Sequence, residues 1–156
     1  MNSSKLKFGP SQTTQLPVIT LTSGTLGTTP TVLTTLRLDS SYLRSPCVKL
    51  DFVTNFNVFG ITAGSLKFQV YKKFDNQSES IPVGPSWTFG PIAIGYQPIS
   101  FFVADCDMTC CSNQTCCTYI VEVSAAELAV AEVGYATFAN SMLAATISSG
   151  SECGCK

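Results

Sequence analysis

Short runs in which apolar and polar residues alternate at every second position occupy most of this chain. Residues 48–52, 66–71 and 119–123 each place Val, Leu, Phe or Tyr at alternate positions, with mostly polar side chains between them. A period of two is the spacing of a β-strand that buries one face and exposes the other. Dipeptides such as Gly84-Pro85 and Gly90-Pro91 separate the runs and favour turns. The sequence therefore predicts an all-β fold.

The predicted strands are residues 16–22, 32–39, 47–54, 66–74, 86–89, 99–105, 117–124, 134–138 and 142–148. Eight or so short strands with frequent turns suit two packed antiparallel sheets better than a helical layout. We therefore predict an eight-stranded β-sandwich of jelly-roll type. The like-facing members of the runs predict a core that contains Leu50, Phe52, Phe68, Val70, Phe102, Tyr119, Val121 and Val123.

Residues 124–132 are the exception to the strand pattern. Ser124 and Glu127 have the spacing of a capping box, and Leu128, Ala129 and Val130 follow it. This pattern predicts a helical turn or two between strands.

The chain is expected to form one domain, because 156 residues lie near the modal domain size. We divide it into an N-terminal arm of residues 1–15, a sandwich of residues 16–148 and a cysteine-containing tail of residues 149–156. Leu6 and Phe8 stand at strand spacing, so we expect them to dock the arm on a neighbouring copy of the chain. The competing interpretation is a disordered terminus.

Charge and histidine content exclude several classes of function. Charged residues make up 12% of the chain, the net charge is −1, and there is no histidine. Without a basic cluster the chain lacks the Lys/Arg surface that nucleic acid binding needs. Without an imidazole it lacks Ser-His and Cys-His nucleophile pairs and His-ligated zinc. We expect a protein that is not an enzyme and needs no cofactor.

Eight cysteines are the main candidate functional residues: Cys47, Cys106, Cys110, Cys111, Cys116, Cys117, Cys153 and Cys155. That number is typical of an oxidising environment. Yet the N-terminus has no apolar run of the length that a secretory signal needs, and no apolar stretch is long enough for a membrane span. We therefore expect neither a Sec signal nor a membrane-spanning segment.

The cysteines suit disulfides or thiolate ligation of a metal. The spacing contains no pair of Cys-x-x-Cys motifs, and adjacent cysteines point to opposite sides of an extended backbone, which disfavours a shared ion. Adjacent cysteines are able to send one bridge inward and another to a second subunit. We predict disulfide and cross-linking cysteines without a metal site, with Cys153 and Cys155 as the best candidates for bridges between subunits.

Several motifs resemble a known family. They are Cys47-Val-Lys-Leu-Asp-Phe52, Leu66-Lys-Phe-Gln-Val-Tyr-Lys72, Ile81-Pro-Val-Gly84 with Trp87-Thr-Phe89, and Ser100-Phe-Phe-Val-Ala-Asp-Cys-Asp107 with Cys116-Cys-Thr-Tyr119. Across residues 45–148 they resemble a family of small, cysteine-rich, uncharacterised clostridial proteins. More distantly, the arm, the eight-stranded domain and the clustered cysteines resemble the fibre subunits of endospore appendages, or spore pili, of bacilli.

The second resemblance implies a structural role. Such subunits are jelly-rolls that stack into disulfide-linked fibres, assemble in the mother cell without a Sec signal, and are displayed when that cell lyses. It implies an extracellular fibre or spore-surface location, with other copies of the chain and a spore-surface anchor protein as partners. Appendage subunits usually carry cysteines in the arm, whereas no cysteine precedes Cys47 here. The tail is then the expected attachment point.

The alternative function is that of a carbohydrate-binding jelly-roll module. Trp87 and Tyr96, with Tyr71, would form an aromatic platform for sugar rings. The competing interpretation of Trp87 is core packing, because it lies in a β run between turns.

Overall fold

Seven β-strands form the described part of the chain in a computed structural model, which covers residues 4–8, 21–22, 30–39, 46–106 and 116–149. The strands are β1 (Ser4–Phe8), β2 (Leu21–Thr22), β3 (Thr31–Asp39), β4 (Pro46–Phe74), β5 (Ile81–Phe89), β6 (Gly95–Asp105) and β7 (Cys116–Ser149). No helix occurs within these ranges. The predicted jelly-roll-type β-sandwich is confirmed, with seven strands in place of eight.

The strand count differs because β4 and β7 are each long enough to serve both layers. They pair with each other antiparallel from Pro46↔Ser149 to Phe74↔Cys117. The register shifts several times between Phe59 and Ser65, where Gly60 has a φ of 69°, a conformation that glycine adopts at little cost. Runs that the sequence separates are therefore halves of one bent strand.

Two four-stranded layers result from this bend. In the first sheet, residues 46–59 of β4 and 135–149 of β7 lie between β6 and β1. In the second sheet, residues 65–74 of β4 and 117–126 of β7 lie between β5 and β3. The short β2 pairs with residues 133–134 of β7. All of these pairings are antiparallel.

The helical turn predicted for residues 124–132 is wrong. β7 continues through this segment, where Ser124 pairs with Lys67 and Ala126 with Ser65. Hydrogen bonding to the neighbouring strand outweighs the local capping-box preference, because propensity is a weak guide when a sheet partner is present.

The core lies between the two sheets. Phe68 of the second sheet is fully buried, and its ring centroid lies 5.9 Å from that of Phe101 and 6.3 Å from that of Phe138, both in the first sheet. Seven of the eight predicted core residues are buried: Leu50, Phe52, Phe68, Val70, Tyr119, Val121 and Val123.

The eighth prediction, Phe102, is wrong, because its side chain is 58% exposed. In β6 the buried positions are Ile99, Phe101, Val103 and Asp105, so Phe102 takes the outer face. There the Lys49 ammonium lies 5.4 Å from its ring centroid.

The sandwich has two ends that differ in chemistry. We call the end near residues 46–48, 105–106, 116–117 and 148–149 the cysteine pole. The opposite end, with the bend of β4 and the start of β6, is the far pole. Ten residues separate Cys47 from Asn57 along β4, so at about 3.3 Å per residue the poles lie about 33 Å apart.

Candidate functional site

Cys47 and Cys106 form a disulfide at the cysteine pole. Val48 and Asp105 are the pair at which the β4–β6 ladder ends. Cys47 precedes Val48 and Cys106 follows Asp105, so the two cysteines lie next to each other. The bond therefore ties the start of β4 to the end of β6 within the first sheet. This agrees with the predicted use of cysteine, for these two residues.

Cys116 and Cys117, the described cysteines outside that bond, carry free thiols. Cys117 is buried with 1% of its surface exposed, and this burial raises the pKa of its thiol to about 11. Cys116 is half-buried at the start of β7. The thiols of Cys116 and Cys117 thus differ in their exposure to solvent, as expected for adjacent residues of a strand.

The other four cysteines lie outside the described residues. Cys110 and Cys111 belong to the segment between Cys106 and Cys116, and Cys153 and Cys155 follow the end of β7 at Ser149. Cys106 and Cys116, on either side of the first segment, and Ser149, just before the second, are all at the cysteine pole. Both segments therefore join the described strands at this end of the sandwich.

A buried polar cluster lies between the sheets at this pole. Lys72 Nζ donates a hydrogen bond to Asp105 Oδ2 at 2.6 Å, and Tyr119 OH donates to the same oxygen at 2.7 Å. The Lys72 and Asp105 side chains are 7% and 4% exposed, and Tyr119 is fully buried. Sequence analysis missed this cluster, although Lys72 follows Phe68 and Val70 at alternate positions and therefore shares their inward face.

A groove opens on the outer face of the first sheet at the far pole, with a volume of about 280 Å³. Three strands contribute to it. Its lining includes Asn55 and Asn57 from β4, Tyr96 and Pro98 from β6, and Thr137 and Asn140 from β7. Tyr96 is 85% exposed. An accessible aromatic ring next to several amide side chains is a combination that binds polar ligands with apolar faces.

A β-bulge shapes one wall of the groove. Val53 pairs with Met142 and Asn55 with Ala139, so two residues of β7 face the single residue Thr54. The buried Thr54 and Ser141 hydroxyls hydrogen-bond at 2.8 Å beneath the bulge. Asn140 takes a φ of 55° and is exposed in the groove wall. Bulges of this kind redirect side chains at functional sites, and nothing in the alternating pattern reveals them.

Trp87 and Tyr96, predicted to share one platform, are separated by the structure. Trp87 is half-buried in the second sheet, and its ring stacks on that of Phe101 with 5.7 Å between centroids. Tyr96 projects from the outer face of the first sheet. The core interpretation of Trp87 is therefore the right one, and Tyr71, a half-buried residue of the second sheet, does not line the groove.

The far pole also exposes apolar side chains. Ile94 is 70% exposed and Phe59 is 55% exposed. Together with Tyr96 they form a group of exposed apolar side chains at this end, whereas Ile81 and Phe102, which are 45% and 58% exposed, lie nearer the cysteine pole.

The predicted docking residues Leu6 and Phe8 lie in β1. There Leu6 pairs with Thr146 and Phe8 with Ala144 of this chain's own β7. Docking of these residues on a neighbouring copy stays a prediction.

In the described ranges the chain has no helix that is both long and apolar enough to cross a bilayer. Nor do three or more acidic, cysteine or histidine side chains converge there in a way that suits a metal ion.

Comparison with known proteins gives a fold neighbour and a family. The structure is similar to the crystal structure of a carbohydrate-binding module of the CBM28 type, specific for non-crystalline cellulose, with a TM-score of 0.47 and 11% identity. The similarity covers 87% of this chain and 84% of that one. No curated protein sequence matches this chain. Residues 2–148 match the family described as Domain of unknown function (DUF4489), and the chain belongs to that family.

Proposed function

We propose that this protein is a structural subunit that assembles with copies of itself into an extracellular, disulfide-stabilised fibre. The observation that carries the proposal is that the described cysteines, and the points where the strands lead into the other cysteine-bearing segments, lie at one pole, about 33 Å from an apolar far pole. The Cys47–Cys106 bond uses two cysteines, so others are left for contacts between subunits.

Two unlike ends favour head-to-tail assembly. A heterologous contact joins different surfaces of identical subunits and propagates when the rotation does not close a ring. In this chain the far pole offers Phe59, Ile94 and Tyr96 as the apolar side of a non-covalent head-to-tail contact. A disulfide needs a cysteine from each partner, so the covalent links would join the cysteine poles of subunits that lie side by side. Low charge supports such contacts, because with 12% charged residues few ions need to be desolvated at an interface.

The sheet edges provide a second contact. β1 and β6 border the first sheet, and strands at an edge present unpaired backbone groups to a partner chain. A neighbour's residues 4–8 would fit the same positions on β7 that β1 occupies, if subunits exchange this strand. Leu6 and Phe8 would then be the docking residues of the arm, as the sequence predicts.

The resemblance to endospore appendages supplies the setting of the proposal. Assembly in the mother cell, without a Sec signal, would place the fibre on the spore surface, where an anchor protein would hold it. Oxidation of the remaining cysteines would follow release into an oxidising environment.

The first test is electron microscopy of negatively stained protein after oxidation, combined with non-reducing electrophoresis in strong denaturant. We expect filaments and a ladder of covalent multimers that reducing agent collapses to monomer. Replacement of Ile94 by Ser should remove the filaments. Replacement by Ser of Val32, which is 43% exposed on β3 and lies between the two poles, is the matched control and should leave them. Oxidised protein that stays monomeric in both assays would refute the proposal.

A second candidate function is carbohydrate binding by the far-pole groove. The specific observation in its favour is the exposed Tyr96 ring beside Asn55, Asn57 and Asn140, since sugars stack on aromatic rings and hydrogen-bond to amides. The test is co-sedimentation of the unpolymerised protein with insoluble polysaccharides. Tyr96→Ala should reduce the bound fraction at least tenfold, whereas Phe102→Ala, an exposed aromatic residue away from the groove, should not. Equal binding by both variants would exclude this groove.

A further inference from the structure

An amine and a carboxyl group contact each other in the core between the two sheets. Lys72 Nζ lies 2.6 Å from Asp105 Oδ2, and both side chains are more than nine-tenths buried. Removal of an ammonium ion and a carboxylate from water is costly even when the two charges pair with each other. Such pairs are therefore rare in a core unless they serve a purpose that an apolar pair cannot serve.

We propose that Lys72 and Asp105 join through an isopeptide bond. Transfer of one proton across their hydrogen bond converts the ion pair into a neutral amine beside a neutral carboxylic acid. The amine nitrogen then attacks Cγ of Asp105, so that the Cγ–Nζ bond forms and one Cγ–O bond breaks. The departing oxygen leaves as water with the proton of the acid and one proton of the amine. The step needs no oxidant, metal or cofactor.

The surroundings favour this condensation in two ways. The fold holds the nucleophile against the electrophile, and such positioning replaces a bimolecular encounter by an effectively unimolecular step. The product is a neutral amide, which removes the cost of keeping two ions in the core. In bulk water hydrolysis opposes amide formation, but here the reacting atoms are screened from solvent by both sheets.

Tyr119 is placed to assist the reaction. It pairs directly with Lys72 across β4 and β7, and its hydroxyl donates to Asp105 Oδ2 at 2.7 Å. Burial is the main reason that the pKa of Tyr119 lies well above the ordinary value of 10.0, so the phenol keeps its proton at neutral pH. The Tyr119 hydroxyl polarises the carboxyl group and delivers a proton to the leaving oxygen. The attacking nitrogen then gives one of its protons to the Tyr119 oxygen, which restores the phenol.

The bond would tie the two sheets together. Lys72 belongs to the second sheet and Asp105 to the first, and Asp105 adjoins the Cys47–Cys106 disulfide. The disulfide links strands within the first sheet, whereas the amide would link the sheets to each other. Unlike the disulfide, the amide survives reducing conditions. The subunit would therefore keep a covalent connection between its layers whether or not it polymerises.

The test is the intact mass of the full chain after denaturation, reduction and alkylation. We expect the mass of the wild-type protein to be one water molecule below the mass calculated for its alkylated sequence. We also expect a proteolytic digest to contain a branched peptide that joins Lys72 to Asp105. A wild-type protein with its full sequence mass contains a simple ion pair, and this result would overturn the proposal without the need for any variant.

Three substitutions assign the mass change to these residues. Lys72→Met should restore the full mass, and persistence of the water loss in this variant would place the reaction elsewhere and refute the assignment. Asp105→Asn should lose ammonia in place of water, because the amide nitrogen becomes the leaving group. Tyr119→Phe should slow bond formation during refolding about a hundredfold, as removal of a positioned donor does. An unchanged rate would exclude a catalytic role for Tyr119.

Discussion

Replacement of two adjacent phenylalanines by alanine should have very different effects on stability. Phe101 is 7% exposed, and its ring centroid lies 5.0 Å from that of Phe52, 5.9 Å from that of Phe68 and 5.7 Å from that of Trp87. Phe102 points to the outer face and is 58% exposed. Because the two residues share chemistry and strand, their comparison isolates the orientation of β6.

The structure gives the expected sizes of the two losses. Truncation of a buried phenylalanine to alanine costs about 3–5 kcal/mol, and three aromatic neighbours place Phe101 toward the upper end of that range. Full burial of a phenylalanine side chain stabilises a protein by about 1.5–3 kcal/mol. Phe102 buries less than half of its surface, so its burial contributes about 1 kcal/mol, and its cation–π contact with Lys49 adds about 0.5 kcal/mol. The expected difference in the free energy of unfolding is therefore about 3 kcal/mol.

Urea denaturation of the oxidised protein, followed by far-UV circular dichroism, measures this difference. Fluorescence is a poor probe here, because the single tryptophan stacks on Phe101 and its signal changes with the substitution itself. In thermal unfolding the difference corresponds to about 6–12 °C for a chain of this size. Equal losses in Phe101→Ala and Phe102→Ala, or a larger loss in Phe102→Ala, would refute the orientation of β6 described above.

Four further predictions concern Gly84, Asn140 and the two neighbouring cysteines Cys116 and Cys117. Gly84→Ala should destabilise the protein by about 1–2 kcal/mol in urea denaturation, because Gly84 has a φ of +65° and a Cβ there lies 3.1 Å from a Val103 methyl group. Asn140→Ala should cost about 1 kcal/mol, whereas Asn140→Gly should be neutral or slightly stabilising, since only glycine takes a φ of 55° without strain. Iodoacetamide should modify Cys116 well before Cys117 in the folded protein at pH 8.5, as peptide mapping would show, with both labelled equally in denaturant. Because the pKa of Cys117 rises from the ordinary 9.0 to about 11 on folding, the folded chain retains a proton that the unfolded chain loses, so stability should fall as the pH rises from 9 to 11.

The alternation of apolar and polar residues predicts much of the fold, and the places where this prediction fails have identifiable causes. In Ser100-Phe101-Phe102-Val103 two adjacent aromatic residues satisfy alternation in either phase, and only the sheet partners decide which one is buried. Likewise, the bend near Gly60 that carries β4 from one sheet to the other leaves no mark in hydropathy, so one strand resembles two. Both features depend on tertiary contacts.

The candidate sites were less accessible to sequence reasoning. Lys72 lies on the inward side of its strand, but a charged residue in that position is usually assigned to solvent unless its partner is known. Its partner Asp105 is 33 residues away along the chain and on the other sheet. The groove depends on a bulge at Asn140, and a one-residue insertion in a strand cannot be recognised in a single sequence.

The position of β7 in both sheets has a consequence for biosynthesis. β7 is the last of the described strands, and it is the strand on which β1, β2 and β3 depend for their pairing. A nascent chain that has not reached residue 116 has therefore made β1, β2 and β3 without the strand that joins them to β4. Apolar faces destined for the core stay exposed until the ribosome completes β7, and chains arrested before that point are the ones most prone to aggregate.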